Sequence, residues 1–298
     1  MTTTTDEHQM DLSRPSGSRT ARNAVASAFM IVSTALAIIP LGWLLWSAAT
    51  KGLGTLLHAS WWTNTMNPVL KASSQGAIHA IVGTLEIGLI TSVISVPIAL
   101  LTAIYLVEYA RGTRLARIVS FCVDVLTGVP SIVAALFIFA VVVTTLHGTQ
   151  SAWAASLALV ILMVPTVLRS TEEMLKLVPD SLREASYALG VSKWKTIMKV
   201  VLPTSISGIL TGIVLGLARV MGETAPLIVL LQYNTGFTVD PNTPNFATIP
   251  TIITDAYTRG GVDTPTVWGA AMTLIILVMG LNLIARAVSR RYMRRMGK

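Results

Sequence analysis

Six stretches of this chain are apolar enough to cross a hydrocarbon layer: Ala24 to Trp46, Ile78 to Leu106, Ile118 to Leu146, Ala152 to Leu168, Thr204 to Leu231 and Thr266 to Val288. One helical crossing takes about 20 apolar residues, because a backbone amide without a partner is not tolerated in lipid. Composition agrees: of 298 residues, 53% are hydrophobic and 12% charged, against roughly 25% charged in an ordinary soluble domain. A soluble enzyme is excluded on these grounds. The chain reads as an all-α integral membrane protein with six transmembrane helices.

The basic residues report orientation. Three lie in the N-terminal tail, three at Arg111, Arg114 and Arg117, six between Arg169 and Lys199, and six between Arg286 and Lys298. The other side of the alternation carries only Lys51, Lys71 and Arg259, which places both termini and the Arg169–Lys199 connection in the cytoplasm. The net charge of +8 thus follows membrane topology and forms no basic patch with interleaved aromatics for nucleic acid. Residues 1–23, polar and rich in Thr, Ser and Arg, read as a disordered cytoplasmic tail that is no cleavable signal. Residues 24–288 form the permeation domain and 289–298 a basic cytoplasmic tail. The single cysteine, Cys122, allows no internal disulfide, and no Cys/His cluster has metal-ligand spacing.

Pro97, Pro130, Pro165 and Pro226 fall within spans and favour kinks. On the outer side, Trp61 and Trp62 suit a headgroup interface. Apolar residues from Phe246 to Tyr257 keep helical spacing, predicting a short amphipathic helix that lies on the membrane or folds back into the bundle.

The connection 170–203 carries its own turn chemistry. Ser181 and Glu184 have capping-box spacing, so a helix is expected to start near Leu182. Gly190 suits a left-handed helix end, and a second helix is expected from Ser192 to Pro203. Small side chains at Ala185, Ser186 and Ala188 would let another surface pack closely.

At these residues, EASYALGVSKWKTIMKVVLP resembles the EAA loop of ABC-transporter permeases, with Glu184, Ala185, Ser186, Gly190, Val200, Leu202 and Pro203 in the motif positions. Ser186 replaces the usual second alanine and Val200 the usual isoleucine. The resemblance implies the type I ABC importer permease fold, with this loop as the coupling helix that enters a cleft of an ATPase. The chain has no GxxxxGK[ST] phosphate-binding loop. ATP and Mg are therefore expected on a partner ATPase, with no cofactor on this chain and no catalytic residue.

ARVMGETAPL at 218–227, DVLTGVPSIV at 124–133 and VPTVLRSTEEML at 164–175 are similar to the phosphate-specific permeases, the PstA family. That resemblance implies a non-catalytic permease importing inorganic phosphate at the cytoplasmic membrane. Its implied partners are a sister permease (PstC), two copies of an ATPase subunit (PstB) and an extracytoplasmic phosphate-binding protein (PstS). Another oxyanion, sulfate or molybdate, is the nearest alternative. A proton-coupled secondary transporter using Glu223 and Glu86 is the more distant one.

The residues expected on the translocation pathway are Arg219, Glu223, Arg169 and Asp124. A charge at the bilayer centre costs about 2.5–3.5 kcal/mol, so Arg219 is expected to face a bundle interior or an aqueous cavity. Its fork of donors suits an oxyanion. Glu223, four residues on, either holds the guanidinium when the path is empty or forms a permanent structural pair with it. Arg169 either lines the inner mouth or snorkels to the interface. Asp124 either pairs with an arginine or sits among headgroups, and Glu86 has no assigned partner.

Overall fold

A computed structural model describes residues 17–66, 75–262 and 264–295, all helix and connecting loop apart from a single bridge between Gln232 and Asn245. The chain divides into two compact units, residues 1–49 and 50–298. The described part of the first is one helix, α1 (Gly17–Leu56), which continues to the start of the second unit. It begins inside the segment expected to be a disordered tail, and residues 1–16 of that segment lie outside the described residues.

The second unit is a helical bundle. In order it holds α2 (Ala59–Thr63), α3 (Ile78–Ile104), α4 (Arg114–Thr127), α5 (Ser131–Ile138), α6 (Ala152–Lys176), α7 (Asp180–Ala188), α8 (Lys193–Thr196), α9 (Leu202–Gly222), α10 (Ala225–Leu230), α11 (Ile249–Gly260) and α12 (Pro265–Arg295). Wider π-helical turns extend α3 to Tyr109 and α5 to Thr145, and another joins α8 to α9. The centre is α6, packed against α3, α5 and α9, with Leu159, Met163, Val167, Leu168 and Leu175 inaccessible to solvent. It runs eight residues past the expected end at Leu168, so the first part of the predicted connection 170–203 is still helix.

Among the described residues five helices are long and apolar enough to cross a membrane, and a sixth crossing exists there as a broken pair. In place of one helix over Ile118 to Leu146, α4 and the α5 segment meet at 104°. Gly128, Val129 and Pro130 make the corner. Pro130 has no amide to donate and sits at the N-cap, where none is needed. Pro226 likewise begins α10, whereas Pro97 and Pro165 lie inside uninterrupted α-helix.

The fifth span also differs from expectation. The second helix of the connection does not stop at Pro203 but passes through it, giving one helical run over Lys193–Gly222. The π turn at Ile197–Val201 precedes the proline, where backbone widening relieves the missing amide and the ring's clash with the preceding turn. The run then ends at Glu223, whose backbone is extended (φ −70°, ψ 134°). Only the short α10 follows, so Thr204 to Leu231 is an interrupted element.

Close approach of α9 to α6 rests on Gly208, Gly212 and Gly216, spaced four apart on one face. A Cβ at these positions would strike Met174, Ser170 and Val167 respectively. The segment 246–257 folds back into the bundle as α11, with Ile249, Ile252 and Ala256 buried and a Thr248–Thr251 capping box. Trp61 is not an interface residue: it is 1% exposed, and its Nε1 donates to Thr273 Oγ1 of α12 at 2.9 Å. Trp62 remains exposed.

Gly83 of α3 faces the Ala247 carbonyl so closely that a Cβ would overlap backbone, whereas Gly280 of α12 has open space around it. Gly83→Ala is therefore expected to cost about 1–3 kcal/mol through overpacking. Gly280→Ala is expected to be neutral or to stabilise by up to about 1 kcal/mol through helix propensity. Denaturant unfolding of the detergent-solubilised protein checks the opposite signs.

Candidate functional site

The connection between α6 and α9 is the most built feature of the surface. α7 starts at Asp180 behind Pro179, and no side chain caps it, so the Ser181–Glu184 capping box does not form. Pro179 already fixes the turn, which places Ser181 inside the first helical turn. Gly190 takes the left-handed conformation (φ +75°) that the sequence anticipates. Its amide bonds the Tyr187 carbonyl at 2.9 Å, and the Val191 amide bonds the Ser186 carbonyl at 3.2 Å, closing the helix end.

Burial separates the residues predicted for ATPase coupling into two sets. Glu184, Ala185 and Gly190 are exposed, together with Leu182, Tyr187 and Leu189. Ser186 turns inward, where its hydroxyl shares a 2.8 Å hydrogen bond with Thr196 Oγ1 of α8. It clamps α7 to α8 and is not part of the outer face. Leu202 and Pro203 open α9 and are half-buried.

The residues holding this helix in place were not singled out from the sequence. Arg183, on the inner side of α7, donates to Glu108 through Nη2 at 2.7 Å and Nε at 3.1 Å. It also reaches the Val178 carbonyl at 2.6 Å, the Leu175 carbonyl at 3.0 Å and Asp180 at 3.1 Å. The two ion-paired side chains are 11% and 4% exposed. One guanidinium thus ties α7 to the end of α3 and to the last turn of α6. Lys193 stands 4.7 Å over the Tyr109 ring, and Arg111 pairs with Asp180 at 3.4 Å, both on the same seam. Only the charge of Glu108 at the end of an apolar run hinted at it.

The four predicted pathway residues come together as two pairs. Arg169 of α6 donates to Asp124 of α4 at 2.6 Å, to the Ser120 carbonyl at 2.8 Å and to Glu172 at 2.5 Å. Glu172 in turn accepts from Lys176 at 2.7 Å. Asp124 therefore pairs with an arginine, although its side chain is largely exposed, and Arg169 pins α4 onto α6. Glu172, absent from the predicted set, is the buried centre of this group.

Arg219 occupies the last turn of α9 and stands 3.6 Å from Glu223 at the break that follows. The guanidinium side chain is 46% exposed and the carboxylate 19%. Helix ends supply partial charge: the free carbonyls of the last turn favour a cation there. Gly212 lies against Ser170 and Gly216 against Met163 and Val167. This antiparallel register puts Arg219 about two turns from Arg169 along the α6–α9 seam. Glu86 is half-buried on α3 and has no ion pair or hydrogen bond among the described residues.

Beyond the break, the loop after α10 packs back on the bundle. The Gln232 amide donates to the Pro244 carbonyl at 2.8 Å and the Phe246 amide to the Gln232 carbonyl at 3.0 Å. Gln150 Nε2 secures the Val229 carbonyl at 2.9 Å. Burial, reinforced by the Asp255 charge and opposed by Arg259, pushes the Tyr233 phenol above its ordinary range and keeps it neutral.

Residues 95–298 match the family described as "Binding-protein-dependent transport system inner membrane component". The chain belongs to that family. Over 272 residues it is 48% identical to "Phosphate transport system permease protein PstA 1" of Mycobacterium tuberculosis (strain H37Rv), covering 91% of this chain and 88% of the relative. It is 39% identical to "Phosphate transport system permease protein PstA" of Yersinia pestis, covering 91% and 90%. In fold the permease is similar to a chain of the bacterial alginate ABC transporter (TM-score 0.65, 16% identity, 91% of this chain and 96% of that one). It is also similar to a chain of the MetNI methionine ABC transporter (TM-score 0.55, 19% identity, 85% and 98%).

Truncating Arg183 in the permease would leave the Glu108 carboxylate buried and unpaired, which costs about 3–5 kcal/mol. Arg183→Ala is expected to lower stability by that order. The double variant Arg183→Met with Glu108→Leu is expected to recover most of the part due to the orphaned charge, and paired unfolding curves measure both.

Proposed function

We propose that this permease carries inorganic phosphate across the cytoplasmic membrane into the cell, driven by ATP hydrolysed on a separate subunit. The observation that carries the reading is the half-exposed Arg219 guanidinium, held by Glu223 where α9 breaks. It occurs in a chain 48% identical to a relative named as a phosphate transport system permease. An oxyanion entering the seam meets a fork of donors already oriented by a carboxylate. It competes for the guanidinium with a partner only loosely engaged at 3.6 Å.

In this reading α7 and both termini face the cytoplasm, as the distribution of Lys and Arg supports. The exposed face of α7, with Glu184 and Ala185 flanked by Leu182, Tyr187 and Leu189, docks in a PstB-type ATPase that holds ATP and Mg. Two such ATPases, a PstC-type sister permease and a PstS-type phosphate-binding protein complete the assembly. Arg169 and Asp124 shape the inner mouth, and Arg219 with Glu223 gates the path. The mechanical link is covalent and continuous, because α8 and α9 form a single helical run from Lys193 beside α7 to Arg219.

Two variants test these roles separately in membrane vesicles with the partner subunits. Arg219→Ala is expected to abolish labelled-phosphate uptake while the ATPase still co-purifies, and normal uptake would remove the gate. Ala185→Glu is expected to let ATP hydrolysis proceed without uptake, and unchanged coupling would remove α7 as the docking helix. Competition by unlabelled phosphate, but not by sulfate or molybdate, is the expected selectivity.

A further inference from the structure

The groove between α9 and α12 is lined by cations without counter-charges among the described residues. It encloses about 380 Å³, with Ser207 and Thr211 on the α9 wall and Asn282, Arg286, Ser289 and Arg290 on the α12 wall. Asn282, Arg286 and Arg290 are spaced four apart and share a helix face. Among the described residues no carboxylate lines the groove. Arg111, Arg169, Arg183, Arg219 and Arg259 each have an acidic partner. Arg286 and Arg290 have neither an ion pair nor a hydrogen bond among the described residues.

We propose that this groove binds a phosphate group carried by an anionic ligand. Two guanidinium groups one turn apart present parallel donors to phosphate oxygens, a geometry a single lysine cannot reproduce. Ser207 and the buried Ser289 hold hydroxyls with no hydrogen bond among the described residues, free to serve the same oxygens. Thr211 and Asn282 are internally engaged, donating to the Ser207 carbonyl at 2.8 Å and the Val278 carbonyl at 2.9 Å, and they fix the shape of the walls. Leu215, Met279 and Leu283 nearby are exposed and apolar. A lipid headgroup therefore fits with its chains along these side chains, and free phosphate fits the same donors without them.

The site is independent of the transport reading, and binding tests it directly. The full chain, purified in nonionic detergent with its co-purifying subunits, is titrated with short-chain phosphatidylglycerol and with radiolabelled inorganic phosphate. Arg286→Gln with Arg290→Gln is expected to weaken binding of the responding probe about 30-fold, the factor for two surface-proximal basic charges. Thr211→Phe, which keeps both charges and fills the groove, is expected to weaken it comparably. Loss confined to phosphatidylglycerol assigns a lipid headgroup, and loss confined to inorganic phosphate assigns the free ion. A wild-type chain that binds neither probe, or either variant binding as wild type with an unchanged circular dichroism spectrum, overturns the proposal.

Discussion

Every backbone amide and carbonyl that enters hydrocarbon must find a partner within the protein, and the architecture follows from how this chain satisfies that demand where its helices break. At the Gly128–Pro130 corner, the Gly128 and Val129 amides bond back to Val125 and Leu126, while the Val133 and Ala134 amides bond to Pro130. At the second break the Glu223 amide bonds to Val220, and Leu227 and Ile228 bond to Thr224. Each break closes one helix and opens the next with few free donors. Proline at the start of the following helix removes a donor that would otherwise have no partner.

With those breaks satisfied, the charges fall into consistent places. Glu108 and Glu172 lie near the ends of their helices, Arg169 two turns inside α6 and Arg183 within α7, all on the side of the bundle that bears α7, and each is multiply hydrogen-bonded. A buried ion pair is seldom a net gain over apolar packing, but once present it fixes geometry, since removing one partner is costly. The Arg183 network makes α7, α3 and α6 one mechanical unit at that end. Force applied to α7 therefore reaches α3 through an ion pair, and α9 through the Ser186–Thr196 hydrogen bond and the helical run that starts at Lys193. Arg219 differs in being half-exposed and loosely paired at the end of that helix, which suits a group that exchanges partners.

Gly190, the helix start after Ser192 and the helix within 246–257 were legible because each depends on local turn chemistry or on periodicity within about a dozen residues, whereas the return of that helix into the bundle was decided by packing. The approach of Gly208, Gly212 and Gly216 to Met174, Ser170 and Val167 of α6 came from the structure, because it depends on which helix packs against that face. The Arg183–Glu108 pair was not legible. Its members are 75 positions apart, and nothing local distinguishes Arg183 from a solvated loop arginine.

Apolar run length, proline and glycine placement and the distribution of Lys and Arg determined by themselves that this is a helical membrane protein with a structured connection at 170–203, and the motif residues of that connection carried the resemblance to permeases. These properties act on each segment alone, through the cost of unpaired amides and of charge in lipid. Tertiary structure alone decided that Trp61 is core, that Ser186 faces inward, that Asp124 meets Arg169 and that α9 ends beside Arg219. Those outcomes turn on which side chains arrive at the same place when distant helices pack, and no segment carries that information in isolation.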